Sequence, residues 1–148
     1  MNAFNSFNIT SSALSAQRLR MDVISSNMAN ADTTRAELVN GEWQPYRRKM
    51  VVLESENSFS GLLNRAMNNK SADGGVAVTN VVDDQTPFNL VYDPSHPDAN
   101  EQGYVEMPNV DPLREMVDLI SATRSYEANV TVLNATKAMM MKALEIGK

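Results

Sequence analysis

Cysteine is absent from this chain, so it can form neither a disulfide framework nor a thiolate metal site. Its one histidine, His96, has no second imidazole to work with, which removes the usual histidine-built metal and catalytic clusters. No G-x-S-x-G elbow, glycine-rich phosphate loop or paired-histidine motif occurs. Apolar runs are short, far below the ~18 residues of a membrane span, so no membrane insertion is expected. Basic residues are outnumbered, with 13 Lys and Arg against 18 Asp and Glu. A nucleic-acid binder would carry a basic stripe, and no nucleic-acid partner is expected. Residues 1–12 have no basic n-region and no apolar h-region, so a Sec-type signal is not expected either. These absences argue against an enzyme: no catalytic, cofactor-binding or metal residue is assigned.

What the chain does have is a helical pattern at both ends. Phe7, Leu14, Met21 and Met28 fall seven apart, with Thr10, Gln17 and Ile24 at the half-heptad positions between them. Near the other end Leu119, Ala122, Tyr126, Val130, Leu133, Lys137, Met140 and Leu144 step by threes and fours. Each set lies on one helical face, as a coiled-coil seam requires. The first helix is expected to be capped somewhere in Asn8–Ser12 and to run to about Ala31. Of its first 34 residues, 14 are Asn, Ser or Thr, mediocre helix formers. Alone in water such a segment stays mostly unfolded, so packing must order it. The second helix is sharply marked: Asp111 can cap it, Pro112 suits its first turn, and Gly147 follows its end. Its 35 residues make a rod of roughly 50 Å.

The middle is different. Residues 36–111 carry five basic and twelve acidic groups, net −7, whereas residues 1–35 and 112–148 are each net +1. Strands are expected at Met50–Leu53, Val76–Val82, Leu90–Tyr92 and Tyr104–Met107, helical turns around Phe59, Leu62, Leu63 and Met67, and a polar loop at Lys70–Gly75. The expected fold is α+β: two long terminal helices, 1–35 and 111–148, pairing as a coiled coil, with a β-rich module, 36–110, inserted between them.

Several residues invite a chemical reading. His96, between Pro94 and Pro97 and near Asp93, Asp98 and Glu101, is read as part of a rigid turn or docking loop. Asp98–Gly103 opens like a calcium loop, but Gln102 and Asn109 stand where ligands are needed, so the match fails. Met139-Met140-Met141 is a packing surface, since no Cys or His lies near it. The N-x-[ST] matches at Asn8, Asn69, Asn129 and Asn134 are read as chance. Asn27, Asn30, Arg124, Glu127, Asn129 and Asn134 interrupt the seams. Some of these are ordinary helix surface; others are candidates for buried contacts that fix register.

Ser12-Ala13-Leu14-Ser15-Ala16 with Asn27-Met28-Ala29-Asn30-Ala31-Asp32-Thr33, and Glu115–Ile120 with Arg124–Asn129, resemble the paired terminal motifs of bacterial flagellar rod and hook proteins. Val91–Asn100 and Gly103–Val110, with the short length, resemble a proximal-rod member of that family; Asn100 stands where an acidic residue is common. The resemblance implies a structural subunit of the basal-body rod in the periplasm, polymerising helically with itself and with other proximal- and distal-rod proteins to transmit torque. It implies passage through the flagellar type III export apparatus; Phe59-Ser60-Gly61-Leu62-Leu63 has the form of the family's export element, but so short a pattern is read first as local packing. The expected assembly seam is Leu14, Met21, Ile24, Asn27, Met28, Asn30, Leu119, Tyr126, Val130, Leu133, Met140 and Leu144. Asp93, Pro94, His96, Pro97, Asp98 and Tyr104 form the expected loop for contacts between unlike rod proteins. The helical pattern by itself also suits another short axial subunit, or a soluble coiled-coil adaptor or export chaperone.

Overall fold

The computed structural model describes residues 3–55, 67 and 75–146. The fold is α+β. Helix α1 (Ala3–Ala29) is followed by strands β1 (Glu37–Val39), β2 (Glu42–Gln44), β3 (Lys49–Ser55), β4 (Val76–Asp83), β5 (Asn89–Tyr92) and β6 (Tyr104–Met107), then by helix α2 (Pro112–Ile146). Among the described residues the strands form two-stranded ladders only: β1 with β2, β3 with β4, and β5 with β6.

The chain divides into two compact units, each built from parts of both helices. One holds residues 1–21, 51–80 and 121–148; the other holds 22–50 and 81–120. Among the described residues of the first unit the buried side chains are Thr10, Ala16 and Ala122. There the Thr123 hydroxyl of α2 donates to the Met21 sulfur of α1 at 3.5 Å, and the Val76 N–H donates to the Ser12 hydroxyl at 3.2 Å. In the second unit the buried apolar groups include Ile24, Pro45, Tyr46, Val105, Pro108 and Val110, joined by buried Asn27 and Glu115.

Helix α2 has the expected bounds. The Asp111 carboxylate accepts the N–H groups of Leu113 and Arg114 at 3.0 and 3.4 Å, which is N-capping geometry. Helix α1 begins earlier than expected. Thr10, Ser12 and Ser15 do not cap it; their hydroxyls donate back to the carbonyls of Ser6, Ile9 and Ser11 from inside the helix. Back-bonding satisfies these hydroxyls without ending the helix, so polar composition misplaces the start. The helix stops at Ala29, where the Asn30 side-chain amide donates to the Ser26 carbonyl at 2.9 Å and tight turns follow.

The four expected strands are present, each within two residues of its expected ends, and β6 with its expected ends. The hairpin β1–β2 is an addition to them. Its signal is Asn40-Gly41, both at positive φ (54° and 91°), the type I′ turn that joins two right-twisted strands. Each strand is only three residues long, too short to stand out by alternation. Of the expected turns around Phe59–Met67 and the loop Lys70–Gly75, only Met67 and Gly75 are among the described residues, and Phe59–Leu63 lies outside them.

Between β5 and β6 the chain makes a compact loop closed by Gly103. Gly103 has φ +82°, and a Cβ there would lie 3.0 Å from the Tyr92 ring and 3.2 Å from Pro94. Gly41 also has positive φ, but a Cβ there would meet open space. Gly41→Ala is expected to cost about 1 kcal/mol from backbone strain alone. Gly103→Ala adds a clash and is expected to cost about 2–4 kcal/mol. Urea denaturation of the two variants checks the order; equal losses would contradict it.

Candidate assembly interface

A polar node in the second unit joins the end of α1, the start of β3 and the first turn of α2. Asn27, on α1 and 1 % exposed, uses its full hydrogen-bonding capacity. Its amide nitrogen donates to the Lys49 carbonyl at 2.9 Å and to Glu115 Oε2 at 3.1 Å. Its oxygen accepts the Lys49 N–H at 2.9 Å and the Tyr46 hydroxyl at 3.0 Å. Glu115, on the first turn of α2, is fully buried, and its other oxygen accepts Arg48 Nε at 2.6 Å.

Arg48 continues the network outward. Its guanidinium reaches Asp84 at 3.4 Å and Asp118 at 3.7 Å, and its backbone N–H donates to Asn109 Oδ1 at 2.8 Å. The Asn109 amide donates in turn to the Asp84 carbonyl and to the Thr86 carbonyl and hydroxyl. Burial works against the Arg48 charge, but the hydrogen bond and charge of Glu115, then those of Asp84, outweigh it and raise the guanidinium above its ordinary value. Asp84 is held below the ordinary carboxylate range first by the Thr86 backbone N–H, with the Thr86 side chain and Arg48 adding to the effect.

The β5–β6 loop is held by its own side chains. Asp93 accepts both the N–H and the hydroxyl of Ser95, which lower its pKa, and His96 Nδ1 accepts the Asp98 N–H at 3.1 Å. His96 is thus occupied in a turn. Asn100 Oδ1 accepts the N–H groups of Gln102 and Tyr104. The Tyr92 and Tyr104 rings meet edge-on, 5.3 Å apart. Asp98 ties the loop to the segment before β1: it accepts Thr34 Oγ1 at 2.8 Å and Arg35 Nε at 2.6 Å, and pairs with Arg35 Nη2. Arg35 and then Thr34 keep Asp98 ionised, and Asp98 reciprocally raises Arg35. Among the described residues no group of three or more His, Cys, Asp or Glu side chains could hold a metal ion.

The expected seam residues fall into three groups. Ile24 and Asn27 are buried; Leu14, Met21, Met28, Asn30, Leu119, Tyr126, Val130, Leu133 and Met140 are half-buried; Leu144 is 71 % exposed. Asn27 is fully engaged within its own chain, and Asn30 bonds to Ser26 and Thr33 at the end of α1. A second apolar face on α2 is missing from the sequence reading. Leu113, Met116, Val117 and Ile120 are 48–75 % exposed and follow the i, i+3, i+4, i+7 spacing. They sit about 100° around the helix from the expected seam, so a single-seam search passes over them. The node residues Arg48 and Glu115 were equally invisible as a pair, because 67 positions separate them.

Residues 7–36 match the family described as "Flagella basal body rod protein", and residues 101–146 match "Flagellar basal body rod FlgEFG protein C-terminal". The chain is 65 % identical to the flagellar basal-body rod protein FlgC of Bacillus subtilis, over all of both chains. It is 46 % identical, again over all of both chains, to the FlgC of Escherichia coli O6:H1. With the FlgC of Borreliella burgdorferi the identity is 42 %, covering 99 % of this chain and 98 % of the relative.

The node's energetics are asymmetric. Without Arg48, Glu115 is a buried carboxylate held by one amide, whereas without the Glu115 charge Arg48 keeps Asp84 and Asp118. Arg48→Met is therefore expected to destabilise by about 3–5 kcal/mol, and Glu115→Gln by about 1–3 kcal/mol. Adding Glu115→Leu to Arg48→Met is expected to recover part of the loss. A double-mutant cycle in urea checks this; Glu115→Gln proving the worse single change would refute it.

Proposed function

The chain belongs to the FlgC family of flagellar basal-body rod proteins, and from that premise we propose how its surfaces build the proximal rod. It is a structural subunit of the basal-body rod, which spans the periplasm, and it assembles with other rod proteins. In our reading, residues 1–35 and 111–148 are the rod-core helices, paired as a coiled coil, and 36–110 is the inserted module. Subunits stack helically through heterologous contacts, each patch meeting a different patch on the next copy, and many packed seams share the torque.

The observation that carries this reading is the apolar surface that one chain leaves uncovered on α2. Besides the face formed by Leu113, Met116, Val117 and Ile120, the helix exposes Val132, Met139, Met141, Leu144 and Ile146 by 52–84 %. Apolar surface of this extent on one helix is characteristic of an interaction site. Methionine suits a seam that must fit non-equivalent neighbours. Contacts between α1 and α2 support the pairing: Met21 with Thr123 in one unit, Asn27 with Glu115 in the other.

We take Leu14, Met21, Ile24, Met28, Leu119, Tyr126, Val130, Leu133, Met140 and Leu144 as the seam, and the Asp93–Gly103 loop as the contact to unlike rod proteins. Transit occurs largely unfolded through the flagellar export apparatus, and α1 orders on assembly. Its Asn- and Ser-rich composition supports that order of events.

Met21→Asp or Leu133→Asp is expected to abolish rods while leaving the subunit exported, since an unpaired carboxylate in a packed seam costs several kcal/mol. Electron microscopy of isolated basal bodies, with immunoblotting of exported subunit, checks this; normal rods would mean the seam register is wrong. Deleting Pro94–Asn100 is expected to stop rod growth and motility, and wild-type swimming of that strain would end the role given to the loop.

A further inference from the structure

The second unit holds a pocket that the polar node does not use. It is open, about 370 Å³ in volume, and bounded by Trp43, Pro45, Tyr104, Glu42, Glu106 and Asp98. The hairpin registers explain its character. Leu38 pairs with Trp43 across β1–β2, and Leu90 with Glu106 and Tyr92 with Tyr104 across β5–β6. Alternation along a strand puts Leu90, Tyr92, Tyr104 and Glu106 on one outward face. The chain's one tryptophan, Trp43, is 56 % exposed on this surface; Tyr104 is 41 % and Leu90 64 % exposed.

The charges in the pocket are unequal. Asp98 is neutralised by Arg35 and also accepts Thr34. Glu42 and Glu106 form no ion pair or side-chain hydrogen bond among the described residues. The pocket therefore presents two aromatic rings, a proline and two unmatched carboxylates, all on hairpins clamped by the Arg35–Asp98 pair and the Tyr92–Tyr104 contact. Rigid, exposed aromatic groups of this kind are anchor points for binding. The same unit already contains such an arrangement internally, with the Arg47 guanidinium 4.5 Å over the Phe88 ring.

We propose that this pocket receives an arginine or lysine side chain presented by a neighbouring rod subunit. The cation stacks on Trp43 and Tyr104 and donates to Glu42 and Glu106. Arginine fits better than lysine, because its planar guanidinium can stack and bridge carboxylates at the same time. The proposal rests on the reading that the β5–β6 loop meets other rod proteins, and it adds the chemistry of the partner.

The test places a photo-cross-linking amino acid at Leu38, beside Trp43, in the full chain assembled into rods, and maps the cross-linked peptides by mass spectrometry of isolated basal bodies. The expected product joins Leu38 to a rod-protein segment bearing an exposed Arg or Lys. Glu42→Gln with Glu106→Gln, which keeps the pocket's shape, is expected to lower the cross-link yield about two- to fivefold, the range for partly exposed ion pairs. Because only assembled rods are analysed, misfolded subunits do not enter the measurement. Cross-links to a rod-protein segment without a basic residue, or a yield unchanged by the two Gln substitutions, would overturn the cation proposal and leave the loop-contact reading standing. Cross-links to no rod protein would overturn both.

Discussion

The buried Glu115 carboxylate is the constraint on which this chain's organisation depends. A carboxylate with no exposed surface is tolerated only when both oxygens are matched, and here Arg48 and Asn27 match them from distant parts of the sequence. Asn27 is itself bonded to the backbone of Lys49, so three segments must meet in one register: the end of α1, the approach to β3, and the start of α2. Shifting any of them by one residue would leave a buried charge or amide unpaired. The node contributes specificity more than net stability, since much of its favourable energy offsets desolvation.

The rest of the second unit follows from that register. Arg48 carries the network to Asp84 and Asn109, and these bring the end of β4 and the turn before α2 alongside it. Asp111 then caps α2 where Glu115, one turn on, enters the node. The Arg35–Asp98 clamp binds the β5–β6 loop to the segment between α1 and β1. It is an exposed pair of small energetic value, and its use is to hold the two hairpins as one surface.

What the sequence disclosed follows the range of each interaction. Helix α2 could be read closely because its signals are local: Asp111, Pro112, and a run without Gly or Pro up to Gly147. Strands β5 and β6 were legible for the same reason, their loop being full of Asx turns and prolines. The β1–β2 hairpin was legible in principle from Asn40-Gly41 but is too short for alternation to reveal. The start of α1 was misread because Ser and Thr serve equally as caps and as back-bonded helix interior. Glu115 stood only as part of a terminal motif, and Asn27 as a polar residue in the seam. Their true partners lie 67 and 88 positions apart in the chain, and pattern alone carries no signal at that distance.

The two units differ in how their contacts act, and this difference suits a polymerising subunit. The second unit is held by directional hydrogen bonds among Asn27, Arg48, Asn109 and Glu115, which set the register of its segments within one chain. Among the described residues the first unit has few buried side chains, and its stretch of α2 keeps Val132, Met139, Met141, Leu144 and Ile146 in solvent. Apolar burial is non-directional and tolerates several packings, as an axial protein needs when it meets unlike neighbours. A subunit wholly of the second kind would be soluble and complete in itself. One wholly of the first would aggregate without geometry. Both on the same two helices give, in the assembly proposed above, a subunit whose exposed stripe is left for neighbours to cover and whose hydrogen-bonded node offers them a surface against which to align.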